Sequence, residues 1–113
     1  MPSQPAKRAR RRNAKWTDTP FADEVPRLLA ERGMSVRALA REASVSQPHL
    51  SRVLRRADYK TPSLELCRSV AKALDLPEDY FPEFREAVVS RHVEEDAGFR
   101  DRVYSQILRS ARN

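Results

Sequence analysis

Between Ser35 and Arg56 the chain reads Ser-Val-Arg-Ala-Leu-Ala-Arg-Glu-Ala-Ser-Val-Ser-Gln-Pro-His-Leu-Ser-Arg-Val-Leu-Arg-Arg. If Leu50, Val53 and Leu54 face inward on a helix, Gln47, Ser51 and Arg52 share its other side. A glutamine amide can bond an adenine edge at two points and a guanidinium can do the same to guanine, each pair discriminating by roughly 1–3 kcal/mol. A major groove about 12 Å wide admits one helix, and polar or cationic side chains near its N-terminus are those that reach base edges. Ser35, Ser46 and Thr61 stand where helices would begin, and the free N–H groups of a first turn suit phosphate oxygens. His49, beside Gln47, is a further candidate contact.

The elements that must hold these residues are legible as helices. A first is expected from near Thr19 to Arg32, with Phe21, Val25, Leu28 and Leu29 forming one stripe. Pro26 complicates its start: with Asp23 as the cap, Pro26 would take the third helical position, where no hydrogen bond is lost, so the regular helix should begin near Glu24. Gly33 can adopt positive φ and end it. A second helix, capped by Ser35, turns Leu39 and Ala40 inward, with Val36 and Ala43 completing the stripe. A third, capped by Ser46, carries Pro48 in its tolerant first turn. A fourth should open with Thr61 as cap and Pro62 at the first position, carry Leu64, Cys67, Val70, Ala71 and Leu74 inward, and close at Asp75-Leu76-Pro77. The lone Cys67 reads as a small buried hydrophobe. Tyr80, Phe81, Phe84 and Val88 suit the open side of a small bundle, with Pro82 starting a helix to about His92. A last amphipathic helix, Glu95 to Arg112, carries Phe99, Val103, Tyr104, Ile107 and Leu108, a stripe that needs a partner.

Composition agrees. Two glycines in 113 residues, abundant Ala, Leu, Arg and Glu, and no alternating β-branched run favour an all-α fold. The length suits one domain. We expect a disordered basic arm over 1–17, a DNA-binding domain over 18–92 and a C-terminal amphipathic helix over 93–113. The net charge of +6 is unevenly spread. Lys7, Arg8, Arg10, Arg11, Arg12 and Lys15 stand in the arm without an acid, and residues 35–61 hold six bases against Glu42 and Asp58, or +4. Two basic segments on an otherwise acidic body suggest a polyanionic partner. The arm would track phosphates or enter a minor groove; a solvated tail and a membrane-surface contact are its alternatives. Trp16 should pack on the domain more readily than stack on a base. No membrane span or secretory leader is expected, which points to the cytoplasm and its nucleoid. A single cysteine precludes an internal disulfide.

From about Val25 to Leu76 the chain resembles the Cro/C1-type (XRE-like) helix-turn-helix regulators related to phage lambda and 434 repressors. The resemblance runs through Leu-Ala-Glu-Arg-Gly-Met-Ser, Leu-Ala-Arg-Glu-Ala-Ser-Val-Ser, Leu-Ser-Arg-Val-Leu and Thr-Pro-Ser-Leu-Glu-Leu-Cys-Arg-Ser-Val-Ala-Lys-Ala-Leu-Asp-Leu. It implies a lambda repressor-like domain of four to five helices, here with an extra C-terminal helix, whose third helix reads the major groove. On that likeness Gln47, Pro48, Ser51 and Arg52 would meet bases, Pro48 through a thymine methyl. Ser35, Val36 through its backbone, Arg37, Ser46, His49, Arg55, Arg56, Lys60 and Thr61 would lie along phosphates. The chain departs from the family pattern at Ser44, where a turn glycine is common, and near Arg56, where another often follows the third helix. A non-glycine residue in the left-handed region costs roughly 1–2 kcal/mol, so either that strain is borne or the turn differs.

Together these features lead to a sequence-specific transcriptional regulator, a repressor binding double-stranded DNA as a homodimer on an inverted repeat. The alternative is an antitoxin-like or adaptor protein whose C-terminal helices bind a protein partner, with DNA binding for autoregulation. An architectural role would lean on the arm. No Gly-rich phosphate loop, metal-spaced Cys/His cluster or nucleophile motif is present, so neither catalysis nor a metal or other cofactor is expected, and His92 has no assigned role.

Overall fold

The computed structural model describes residues 15–55 and 61–112, in which six helices and no strand occur. They are α1 (Phe21–Arg32), α2 (Val36–Glu42), α3 (Gln47–Leu54), α4 (Leu64–Ala73), α5 (Pro82–Glu95) and α6 (Ala97–Arg112). The fold is all-α, as expected.

The stripes read from the sequence converge on one core. Phe21, Val25, Leu28 and Leu29 of α1, Leu39 and Ala40 of α2, Leu50 and Val53 of α3, and Leu64, Leu66, Cys67, Val70 and Ala71 of α4 are buried together. Leu74, Tyr80, Phe81 and Phe84 close the same core. Phe81 meets Phe21 edge-on at 4.8 Å and Tyr80 at 5.2 Å. Cys67 is fully buried, and burial, reinforced by the Glu83 charge, pushes its thiol up to about 12, so it stays protonated and unreactive. The other member of the expected aromatic cover, Val88, is exposed.

Three helices end alike. After α1, α2 and α4 the chain turns through Gly33 (φ 62), Ser44 (φ 57) and Asp75 (φ 60). In each, the next N–H bonds back to close the turn: Met34 to Leu29 O, Val45 to Ala40 O and Leu76 to Ala71 O, at 3.0, 2.9 and 2.8 Å. The departure at Ser44 therefore resolves in favour of strain, because the turn is kept and serine occupies its left-handed position.

Three helix starts differ from expectation, the last helix opening at Ala97 and not at Glu95, which ends α5. α1 begins at Phe21, not near Glu24, and Pro26 lies in its second turn. Pro20 supplies no side-chain cap; instead the Glu83 carboxylate of α5 accepts the Phe21 N–H at 3.0 and 3.1 Å. Burial of Phe21 and this borrowed carboxylate fix the earlier start, and because Pro26 is exposed its missing hydrogen bond falls on the solvent side. α4 is capped by Ser63, which accepts the Leu66 N–H at 3.1 Å, not by Thr61. Pro62 precedes the cap and is buried with Leu64, so the core draws the chain in before the helix begins.

The lead-in to α1 is tied down at Thr17, inside the span expected as a basic arm, while residues 1–14 lie outside the described residues. The Thr17 N–H bonds Tyr80 O at 3.0 Å, and Arg85 donates to the carbonyls of Thr17, Asp79 and Tyr80 at 2.8 to 2.9 Å. Arg85 also lies 4.9 Å over the Trp16 ring. Trp16 is thus anchored through one face while remaining 52 % exposed, not buried. At the other end, the expected division after residue 92 falls inside α5; the chain changes direction at Asp96, which caps α6 by accepting the Phe99 N–H at 3.0 Å.

Candidate nucleic-acid interface

The orientation of α3 follows from how its ends are made. Ser46 caps it by accepting the His49 N–H at 3.3 Å, as Ser35 caps α2 by accepting the Ala38 N–H at 3.0 Å. Pro48 occupies the first turn, where its missing N–H costs nothing. Leu50 and Val53 anchor the helix in the core, and α3 packs against both α1 and α2. With the left-handed Ser44 fixing the turn, α2 and α3 form one rigid corner.

Turning Leu50 and Val53 inward leaves Gln47, Pro48, Ser51, Arg52 and Arg55 contiguous on the outer side at about 100° per residue. Gln47, Pro48, Arg52 and Arg55 are exposed and Ser51 is half-buried. The Gln47 amide nitrogen donates to Ser51 Oγ at 3.4 Å, a long and exposed hydrogen bond. His49 lies off this face and is half-buried on the side of Val53.

Around this face the charge is positive. Arg37 and Arg41 on α2, with Arg52 and Arg55, are exposed, and none pairs with a carboxylate among the described residues. Ser35 is exposed and Val36 half-buried at the N-terminus of α2, whose first-turn N–H groups have no intrahelical partners. Thr61 is exposed but stands two residues before the Ser63 cap, which removes the first-turn N–H groups expected beside it. Arg56 and Lys60, and Lys7, Arg8, Arg10, Arg11 and Arg12 of the arm, lie outside the described residues; Lys15 is exposed, its ammonium 5.3 Å from the Trp16 ring.

Residues 27–81 match the helix-turn-helix family, from the second half of α1 to Phe81. This segment, about half of the chain, belongs to the Cro/C1-type helix-turn-helix family. Comparison with curated proteins and with solved structures returned no match. The helix-turn-helix match makes α1–α4 a DNA-binding domain of the transcription-regulator type, in a family that is not one of enzymes. Among the described residues no helix is long and apolar enough to cross a membrane, and no three His, Cys, Asp or Glu side chains are grouped to hold a metal.

Sequence reasoning did not single out Glu24, Arg27 or Arg32, nor join Tyr80 to Glu24. Glu24 is buried, hydrogen-bonded by the Tyr80 hydroxyl and held by Arg27 at 2.7 Å. Burial alone would raise its pKa, but the hydrogen bonds from Arg27 and Tyr80 and the Arg27 charge outweigh that and hold it below the ordinary carboxylate value. Arg32 donates to the Leu74 carbonyl, joining the ends of α1 and α4. The only local hint is the 24/27 spacing of acid and base on one helix.

Proposed function

We propose that this protein is a sequence-specific transcriptional repressor that binds an inverted repeat as a dimer, each copy laying α3 in a major groove. The observation that carries this is the contiguous outer face of α3, where Gln47, Pro48, Ser51 and Arg52 sit clear of the core on a helix that Leu50 and Val53 hold rigidly. Gln47 and Arg52 contribute bidentate base contacts, Ser51 a hydroxyl and Pro48 an apolar contact to a thymine methyl. Ser35, the Val36 N–H, Arg37, Ser46, Arg55, Arg56, Lys60 and Thr61 contact phosphates, with His49 at the edge, and the basic arm adds charge along the backbone. No cofactor takes part, and the site of action is the cytoplasmic nucleoid.

Fluorescence anisotropy with duplexes selected from a random library tests the proposal. A selected duplex should bind far more tightly than random sequence, and a preference below about tenfold at moderate salt would exclude sequence-specific regulation. Deleting 1–15 should flatten the salt dependence, by about 0.9 in the log–log slope for each phosphate that the arm neutralises.

One observation favours a second reading, an antitoxin-like adaptor: α6 buries none of its residues. Under that reading Phe99→Glu with Val103→Glu abolishes capture of a protein partner and leaves dimerisation and DNA binding intact.

A further inference from the structure

α5 and α6 meet over the single residue Asp96, with His92 and Phe99 ring to ring at 4.6 Å. Beyond this corner both helices present uncovered apolar surface. Val88 and Val89 on α5 are 44 % and 53 % exposed; Tyr104, Ile107 and Leu108 on α6 are 59, 59 and 42 % exposed. A helix of 16 residues with nothing buried is marginal in water, so a surface must be supplied to it.

The charges decide which surface. α6 carries Arg100, Arg102, Arg109 and Arg112 against Asp101, a net +3. α5 carries Glu83, Glu86, Glu94 and Glu95 against Arg85 and Arg91, a net −2, with Asp96 adjoining. Two copies of α6 laid on each other would oppose like charges in either direction, whereas α6 on α5 joins unlike ones. Each apolar patch is thus complemented by the other and not by itself.

We propose that two copies of this chain exchange C-terminal helices, the Tyr104, Ile107 and Leu108 face of each α6 lying on the Val88 and Val89 face of the other copy's α5. This rests on the dimer in the function proposed above and specifies how it is made. Two-fold symmetry makes the contact twice. Each α6 is about 24 Å long, and the two-fold doubles whatever area one contact buries toward the roughly 1,000 Å² that a specific interface needs. The exchange also leaves α3 free in each copy, since none of its outer residues belongs to the contact.

The test mixes two single-site variants, Val89→Cys and Ile107→Cys, under a mild oxidant. Cys67 is fully buried and does not compete. The exchange predicts disulfide-linked dimers in the mixture, well beyond those in either variant alone. A linked dimer from Ile107→Cys alone, with none added on mixing, would place α6 on α6 and overturn the exchange while leaving a dimer. Sedimentation of the parent chain as a monomer at every concentration would overturn both. As a check that does not rely on cysteine, Arg109→Glu with Arg112→Glu should raise the dimer dissociation constant at least about tenfold without changing affinity for a single half-site; an unchanged constant contradicts the charge pairing.

Discussion

Leu50 on α3 and Ile107 on α6 occupy equivalent places in their helices, each on a regular apolar stripe with polar residues opposite, yet Leu50 is wholly buried and Ile107 is 59 % exposed. The difference is one of cover. α1–α4 and the first turn of α5 each find the others' stripes, and the short helices α2 and α3, at seven and eight residues, are far too short to persist unless packed. α6 is twice as long as α3 and finds nothing among the described residues that buries it. An amphipathic pattern requires that a face be covered; whether the cover is the same chain is decided by chain geometry, here by the single-residue corner at Asp96.

The largest expected effect separates the two regions outright. Leu50→Ala should cost about 2–5 kcal/mol in urea unfolding and abolish DNA binding with the fold, while Ile107→Ala should change monomer stability by less than about 0.5 kcal/mol. Equal destabilisation by the two substitutions would mean that α6 packs on the core.

Next in size is the brace that joins α1 to the segment before α5 through Glu24 and Tyr80. Tyr80→Phe removes the hydroxyl that bonds the Glu24 carboxylate and should cost about 1.5–3 kcal/mol, since the acceptor is charged and buried. Because the folded pKa of Glu24 is lowered from 4.5, its contribution is present above that ordinary value and is lost as pH falls through the lowered one. The Tyr80 phenol, pushed up to about 12 by burial and then by the Glu24 hydrogen bond, shows the opposite sign: its contribution is present below 10 and lost as pH rises toward 12. Unfolding curves of the parent should therefore lose stability at both limits, and Tyr80→Phe should flatten both. Unchanged limbs would show that the brace is not coupled to folding.

The smallest effect sharpens the corner itself. Ser44→Gly should stabilise the protein by about 1 kcal/mol, relieving the left-handed serine without altering the packing around it. Destabilisation would mean that the serine side chain contributes more than its backbone costs. Asp75, in the same conformation, should gain less from the same change, because a short carboxylate side chain tolerates that region better.

These residues also mark how far the sequence could be read. The helices, the caps at Ser35 and Ser46, the end at Gly33 and the outer face of α3 were legible because each depends on neighbours within one or two turns. The start of α1 was not, because its determinant is Glu83, a carboxylate 62 positions away. The choice of Ser63 over Thr61 was equally hidden: either residue can cap, and only the burial of Pro62 and Leu64 selects between them. The Glu24–Tyr80 pair lies 56 positions apart, so no neighbour in sequence marked Glu24 as buried. The candidate base-reading residues were visible as a face, whereas their rigidity became visible only through the closed turn at Ser44.

The central claim is that α3 reads base sequence, and selection from a random duplex library with the parent chain and with Gln47→Ala and Arg52→Ala tests it most directly. The account predicts an inverted repeat for the parent and, for each variant, relaxed preference at one position of each half-site, worth roughly 1–3 kcal/mol, with the other positions unchanged. Recovery of the same motif at the same stringency from all three proteins would contradict it.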